Sequence, residues 1–272
     1  MNRPASAPQT VFENDAQALR TLGVVSFLNA KPLCKPLVGQ ERLTIKPAVP
    51  AKLSAMLANG ECDVALLPIV DFWRCRDHLE IISDACIASD GETTTVRVFS
   101  KSPPDTLRKL HVDGDSRTSV VLARLIWLEL YGVNLELSPW RTGRAEGSSP
   151  DAEAVLLIGD KVVSAAPTGF GFEVDLGAAW KHLTGLPFVF AAWYARKDAD
   201  LAGELAPVLQ AARDAGVAAA EEIALQDAEQ HGWPTHTAVK YLRDVMRYTL
   251  TDDMRTAMRR FFQLAEGHAL LP

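Results

Sequence analysis

Short apolar runs alternate with stretches of helical periodicity along most of this chain. Residues 23–28 (GVVSFL) are mostly apolar and rich in β-formers, and they run into a polar residue, Asn29, followed by Lys31 and Pro32. That pattern predicts a buried strand that ends on an amide side chain and hands over to a helix start. Residues 43–47 read as a second strand. Residues 50–59 carry Leu53, Met56 and Leu57 at helical spacing and stop at Gly60, as a helix with a glycine stop does. Residues 63–67 (DVALL), closed by Pro68, read as a short buried strand. Strand, helix, strand in this order is a βαβ unit, whose crossover predicts a parallel sheet.

The alternation then repeats. Residues 95–100 (TVRVFS) read as a strand that leads into a Pro-rich joint at 101–104. A second strand-and-helix pattern follows, with a strand at 111–113 and a long helix from about Ser116 to Tyr131. Residues 154–159 (AVLLIG) and 188–195 (FVFAAWYA) are further apolar strands. From Leu201 onward the chain reads as helices only, with stripes such as Leu201, Leu205, Leu209 and Ala212. The fold class is therefore α/β. A middle segment with its own strands, bracketed by two strands that cross, predicts two lobes with a ligand between them. The boundaries expected are an extension at 1–20, lobe 1 at 21–100, lobe 2 at 101–194, and a helical C-terminal tail at 195–272 that returns to lobe 1. The lobes are expected to move as rigid bodies about residues 95–101 and 190–196.

Composition narrows the function classes. The chain has 272 residues, a net charge of −6 and no basic run, which argues against a nucleic-acid partner. No segment approaches the roughly 18 apolar residues of a membrane span. The first 19 residues lack the apolar stretch of a secretory signal. The cysteines are Cys34, Cys62, Cys75 and Cys86, with no CxxC pair, so reduced thiols in a cytoplasm are expected. His231 and His236 lack a matching Cys or HExxH frame, so no metal site is expected. A Walker loop, GxGxxG and GxSxG are all missing from the sequence, and a nucleotide cofactor or a Ser–His mechanism has no support.

Four places carry polar groups suited to a cleft. Asn29 stands at the carboxyl end of the first strand, where open α/β sheets bind ligands; it also suits a plain helix cap. The run 113–120 (DGDSRTSV) puts Ser116, Arg117, Thr118 and Ser119 at a helix start. Hydroxyls, an Arg and free backbone N–H groups there make an anion site suited to a carboxylate, or else an ordinary Ser-capped helix. Gly159 and Asp160 end another strand, where Asp160 can accept a hydrogen bond from a substrate hydroxyl or cap the next helix. Thr93, Thr94 and Thr95 open the strand at 95–100, just after the Asp90-Gly91 turn.

Together these segments resemble the chorismate dehydratases of menaquinone biosynthesis by the futalosine route. The similar stretches are SFLNAKPL (26–33), GECDVALLP (60–68), SRTSV (116–120), LLIGD (156–160) and DLGAAWKHLTGLPFVFAAWYAR (175–196). The resemblance implies a two-lobed type II periplasmic-binding-protein-like fold used as a cytoplasmic enzyme. It implies chorismate as the small-molecule partner, converted to 3-[(1-carboxyvinyl)oxy]benzoate with loss of water, with no metal or organic cofactor. It puts the functional strand-end Asn on Asn29 and the carboxylate-binding helix start on Ser116 to Ser119. The chain departs from the family pattern at DGETTTVRVFS, where Glu92 takes the place of a Pro and Thr95 that of a functional Ser. Asn29 and Thr95 are thus the expected catalytic pair, orienting a substrate whose own enolpyruvyl carboxylate removes the proton. A solute receptor of the same fold and the sister futalosine-pathway lyase are the competing readings.

Overall fold

Eleven strands form two sheets in the computed structural model, which describes residues 19–112, 117–140 and 152–272. In chain order the strands are β1 (Arg20–Val25), β2 (Leu43–Ala48), β3 (Val64–Pro68), β4 (Leu79–Ser89), β5 (Val96–Ser100) and β6 (Lys109–Val112). They continue as β7 (Glu136–Pro139), β8 (Ala154–Ile158), β9 (Phe172–Asp175), β10 (Phe188–Arg196) and β11 (Met246–Thr249). The first sheet has the order β11-β4-β10-β3-β1-β2, and the second β7-β6-β8-β5-β9.

The expected βαβ unit is present. β1 pairs in parallel with both β2 and β3, and the helix Pro50–Ala58 crosses between the latter two. Proline opens that helix, where its missing N–H has no partner to lose. Leu53 and Leu57 point inward and are fully buried. Every residue of β3 is buried, as expected for a central strand covered on both faces. β10 lies antiparallel between β3 and β4, so a strand late in the sequence completes the centre of the first sheet.

Three sequence expectations change. The strand at residues 188–195, expected inside lobe 2 and as a crossing with a hinge at 190–196, lies wholly in the first sheet between β3 and β4. The strand at residues 95–100, assigned to the end of lobe 1, lies in the second sheet, antiparallel to β8 and β9. The chain passes between sheets over residues 90–95, and it returns between β9 and β10. The C-terminal tail is also not purely helical, because β11 pairs antiparallel with β4 at the sheet edge. Four residues with alternating burial are too few to stand out between two helical stretches. The helices Ala202–Ala218 and Asp252–Gly267 pack on the first sheet, burying Leu205, Leu209, Ala212, Phe261 and Phe262. All four cysteines are free thiols, three of them buried.

Candidate active site

The carboxyl end of β1 does not run into a helix cap. Asn29 sits inside a single 3-10 turn, Leu28–Ala30, that leads into the helix Lys31–Cys34. Its amide therefore projects sideways, into a narrow cavity of about 70 Å³ between the two sheets. Lobe 1 supplies Val25, Phe27, Pro50, Pro68 and Met246 to the wall, and the crossings and lobe 2 supply Thr93, Thr95, Ser119, Ile158 and Gly159. The polar side chains lining it are Asn29, Thr93, Thr95 and Ser119; among the described residues no acid, base or thiol lines it.

Thr95 is 2 % exposed. Its hydroxyl lies 2.8 Å from the hydroxyl of Tyr241, on the first turn of the π-helical stretch Tyr241–Val245. Such stretches recur at functional sites. Burial pushes the Tyr241 phenol well above its ordinary range, opposed by its hydrogen bonding with Thr95 and Asn29. Tyr241 is thus a neutral hydrogen-bonding group shared by both expected catalytic residues.

The turn that aims Thr95 is held by Asp175. Its carboxylate accepts from the backbone N–H of Thr93 and of Thr94 and from the Thr93 hydroxyl, at 2.9 to 3.1 Å. The same carboxylate caps the helix Leu176–Thr184 through the N–H groups of Gly177 and Ala178. Thr94 adopts a left-handed conformation, φ 64°, which costs a β-branched residue energy and needs this clamp. Gly177 lies so close to Thr93 and to the Gly91 carbonyl that a Cβ there would overlap both. The Asp-Leu-Gly of the sequence motif is therefore a device for shaping the Thr93–Thr95 turn.

Asp160 does not line the cavity, and its side chain does not cap the helix Lys161–Ser164 that follows. Its carboxylate instead reaches into lobe 1. It accepts from the Leu28 N–H at 3.2 Å, from His231 Nδ1 at 2.6 Å and from Trp233 Nε1 at 3.0 Å. The first of these opens the turn that carries Asn29. Gly159, just before it, does line the cavity. It has φ +69° and lies under the Phe27 ring, where a Cβ would come within 2.9 Å, so glycine serves both the backbone and the close approach.

The helix start at 117–119 divides its labour. Ser119 lines the cavity. The Thr118 hydroxyl accepts from the Val70 N–H at 3.1 Å, and Arg117 pairs with the buried Asp71. Both partners lie on lobe 1. Burial raises the Asp71 pKa, and the hydrogen bond and charge of Arg117 pull it back. Ser116 lies outside the described residues. Among the described residues, no group of three or more His, Cys, Asp or Glu side chains comes together in a way that could hold a metal ion.

Sequence reasoning brought together Asn29, Thr95, Ser119 and Gly159, which meet at one cavity. It missed Asp175, Gly177, His231, Trp233 and Tyr241. The first two stood inside a recognised motif, whereas the last three lie in the helical tail, where nothing local marks them. A sequence model of the family described as menaquinone biosynthesis matches residues 20–267. The chain belongs to the menaquinone biosynthesis family. Its relatives include a protein of Thermus thermophilus named chorismate dehydratase, 30% identical over 88% of this chain and 93% of the relative. Among solved structures, a protein of Archaeoglobus fulgidus is similar with a TM-score of 0.76 at 16% identity, covering 92% of this chain and 98% of that one. The periplasmic aliphatic sulphonate binding protein of Escherichia coli is similar with a TM-score of 0.64 at 16% identity, covering 94% of each chain. These structural neighbours share the periplasmic-binding-protein-like fold that this family member uses. The fold is the one expected from its motifs.

Proposed function

We propose that this protein is a chorismate dehydratase, converting chorismate to 3-[(1-carboxyvinyl)oxy]benzoate and water. The family membership and the Thermus thermophilus relative support the reading. The observation that carries it is the make-up of the cavity wall: an amide, three hydroxyls and apolar surface, with no acid or base among the described residues. The described wall supplies no base of its own, which suits a substrate that brings one.

Chorismate does. Its enolpyruvyl carboxylate hangs from the ring carbon whose proton must leave. The carboxylate takes that proton, the C–H electron pair enters the ring, and the bond to the ring hydroxyl breaks. The departing hydroxyl leaves as water with the same proton, so the side chain is regenerated as a carboxylate. Aromatisation supplies much of the driving force. The enzyme's part is to hold the substrate in the reactive conformation and to stabilise developing charge. Asn29 and Thr95 orient the reacting side, Ser119 and the helix start beside it take a carboxylate, and Phe27, Ile158 and Phe190 flank the ring. No cofactor enters this scheme. Free thiols at all four cysteines support action in a reducing cytoplasm, with the product feeding the futalosine route to menaquinone.

The test is direct. Purified protein is mixed with chorismate and the ultraviolet absorbance of an aromatic product is followed. Conversion to the carboxyvinyloxy benzoate is expected; chorismate left intact by folded protein overturns the reading in favour of a binding protein of the same fold.

A further inference from the structure

Trp233 does not line the cavity, and no step of the proposed reaction uses it. It is 4 % exposed and lies just before the helix Thr235–Lys240 in the C-terminal tail. Separate parts of its indole are engaged. The N–H at Nε1 donates to Asp160 Oδ1, on lobe 2, at 3.0 Å. The ring face stacks on Tyr241, just after the same helix, with centroids 4.7 Å apart and planes at 24°. The Tyr241 hydroxyl stands 2.8 Å from Thr95 Oγ1, and Thr95 lines the cavity. A line of direct contacts therefore runs from lobe 2 through an indole and a phenol to the reacting side.

The backbone beside Trp233 is shaped for contact with lobe 2. Gly232 has φ +72°, and a Cβ there would come within 2.8 Å of Ser164 Cβ, so glycine permits both the turn and the approach. Ser164 ends the helix Lys161–Ser164 that Asp160 precedes. On the far side of Gly232, His231 Nδ1 meets the other oxygen of the Asp160 carboxylate at 2.6 Å. An indole is a rigid plate with few torsions. Tying its Nε1 to Asp160 fixes the plane on which the Tyr241 ring rests.

We propose that Trp233 is a positioning residue that brings lobe closure to bear on Thr95. With Asp160 seated, the indole plane is set, the Tyr241 ring rests on it, and the phenol oxygen holds the Thr95 hydroxyl in place. With the lobes apart, the carboxylate leaves the indole N–H, and the ring that supports Tyr241 is free to turn. The Thr95 hydroxyl is thus steered only once lobe 2 has closed over the substrate, so that closure completes the site. This inference rests on the chorismate reading and adds to it, because it names what puts the orienting hydroxyl in position.

The experiment is a cycle of variants read by chorismate turnover. Trp233→Phe keeps an aromatic face for Tyr241 and removes the N–H. The kcat and KM of wild type, Trp233→Phe, Thr95→Val and the double variant are measured. Trp233→Phe alone is expected to lower kcat about ten-fold, as for a small misplacement of a reacting group. Its KM is expected to stay within about three-fold of wild type, because Ser119 and the apolar wall still hold the substrate. Thr95→Val leaves no hydroxyl to steer, so the added Trp233→Phe lowers kcat by less than about two-fold. A Trp233 that only fills the core would lower kcat by the same factor in both backgrounds. That result, a change confined to KM, or wild-type kcat in Trp233→Phe overturns the proposal. Should Trp233→Phe fail to fold, Trp233→Tyr, which also keeps a ring and lacks the indole N–H, takes its place with the same expectations. A chain that folds with neither shows Trp233 to be part of the core and overturns the proposal. Wild-type protein that leaves chorismate intact overturns the functional reading and this inference with it, whereas wild-type turnover with any adverse result above overturns this inference alone.

Discussion

The hydroxyls of Thr95 and Tyr241 stand 2.8 Å apart, although 146 residues separate them along the chain. The bond ties the crossing between the sheets to the C-terminal part of lobe 1, directly behind Asn29. It also gives the departure from the family pattern at position 95 a physical meaning. A Thr keeps the oxygen that Tyr241 requires and adds one methyl to a buried site.

Thr95→Ser is therefore expected to retain activity within about three-fold, since the bond to Tyr241 survives, and to lose less than about 1.5 kcal/mol for the deleted methyl. Thr95→Val keeps the shape but leaves the buried Tyr241 hydroxyl without that partner. A loss of about 1–3 kcal/mol is expected, with kcat reduced by more than about ten-fold. Chemical denaturation and the chorismate assay read the two effects separately. Equal behaviour of Ser and Val would mean that the hydroxyl has no role.

Asp160 joins the lobes through Leu28, His231 and Trp233. Asp160→Ala is expected to strand these donors, with a cost of about 2–3 kcal/mol, and to loosen the turn bearing Asn29. In small-angle scattering the unliganded variant should have a larger radius of gyration than wild type, and its kcat should fall with it. An unchanged radius and unchanged kcat would show that the lobes are held by other contacts, such as Thr118 on Val70.

Gly177→Ala drives a methyl group into Thr93 and the Gly91 carbonyl. The backbone cannot yield cheaply, so destabilisation of about 1–3 kcal/mol is expected, together with loss of activity through the displaced Thr95. Gly203→Ala is the control, because a Cβ there meets nothing. Thermal melts of both variants check the contrast, and equal melting temperatures would refute it.

The pair Asp71 and Arg117 carries a pH signature. Burial raises the Asp71 pKa in the folded protein, so between its ordinary value and the raised one the folded state binds more protons than the unfolded state. Stability contributed by this group is full at acid pH and is lost as pH rises through the raised value. Arg117 opposes the rise. Arg117→Met is expected to push the Asp71 pKa further up and to cost about 2 kcal/mol near neutrality, between the exposed and buried ranges for ion pairs because the Arg side chain is 39% exposed. The deficit should shrink as pH is lowered, and Asp71→Asn combined with Arg117→Met should abolish its pH dependence. Melting temperatures across pH measure this, and a deficit independent of pH would show that packing, not charge, is lost.

Local pattern determined a good deal of this protein. Apolar runs and helical stripes give the α/β class and the βαβ unit of β1 to β3, because burial imposes its period on neighbouring residues. Asn29, Thr95, Ser119 and Gly159 were legible as cleft residues because each stands at the end of a strand or the start of a helix, where backbone geometry exposes a side chain. The sheet membership of β5 and the pairing of β11 were not, since which edge a short strand joins depends on partners far away in sequence. Tyr241, His231 and Trp233 sit in a helical tail where they read as ordinary surface or core. Only the folded chain brings the Tyr241 hydroxyl to Thr95 and the Asp160 carboxylate to Leu28, because a hydrogen bond needs two groups within about 3 Å and sequence spacing says nothing about distance between lobes.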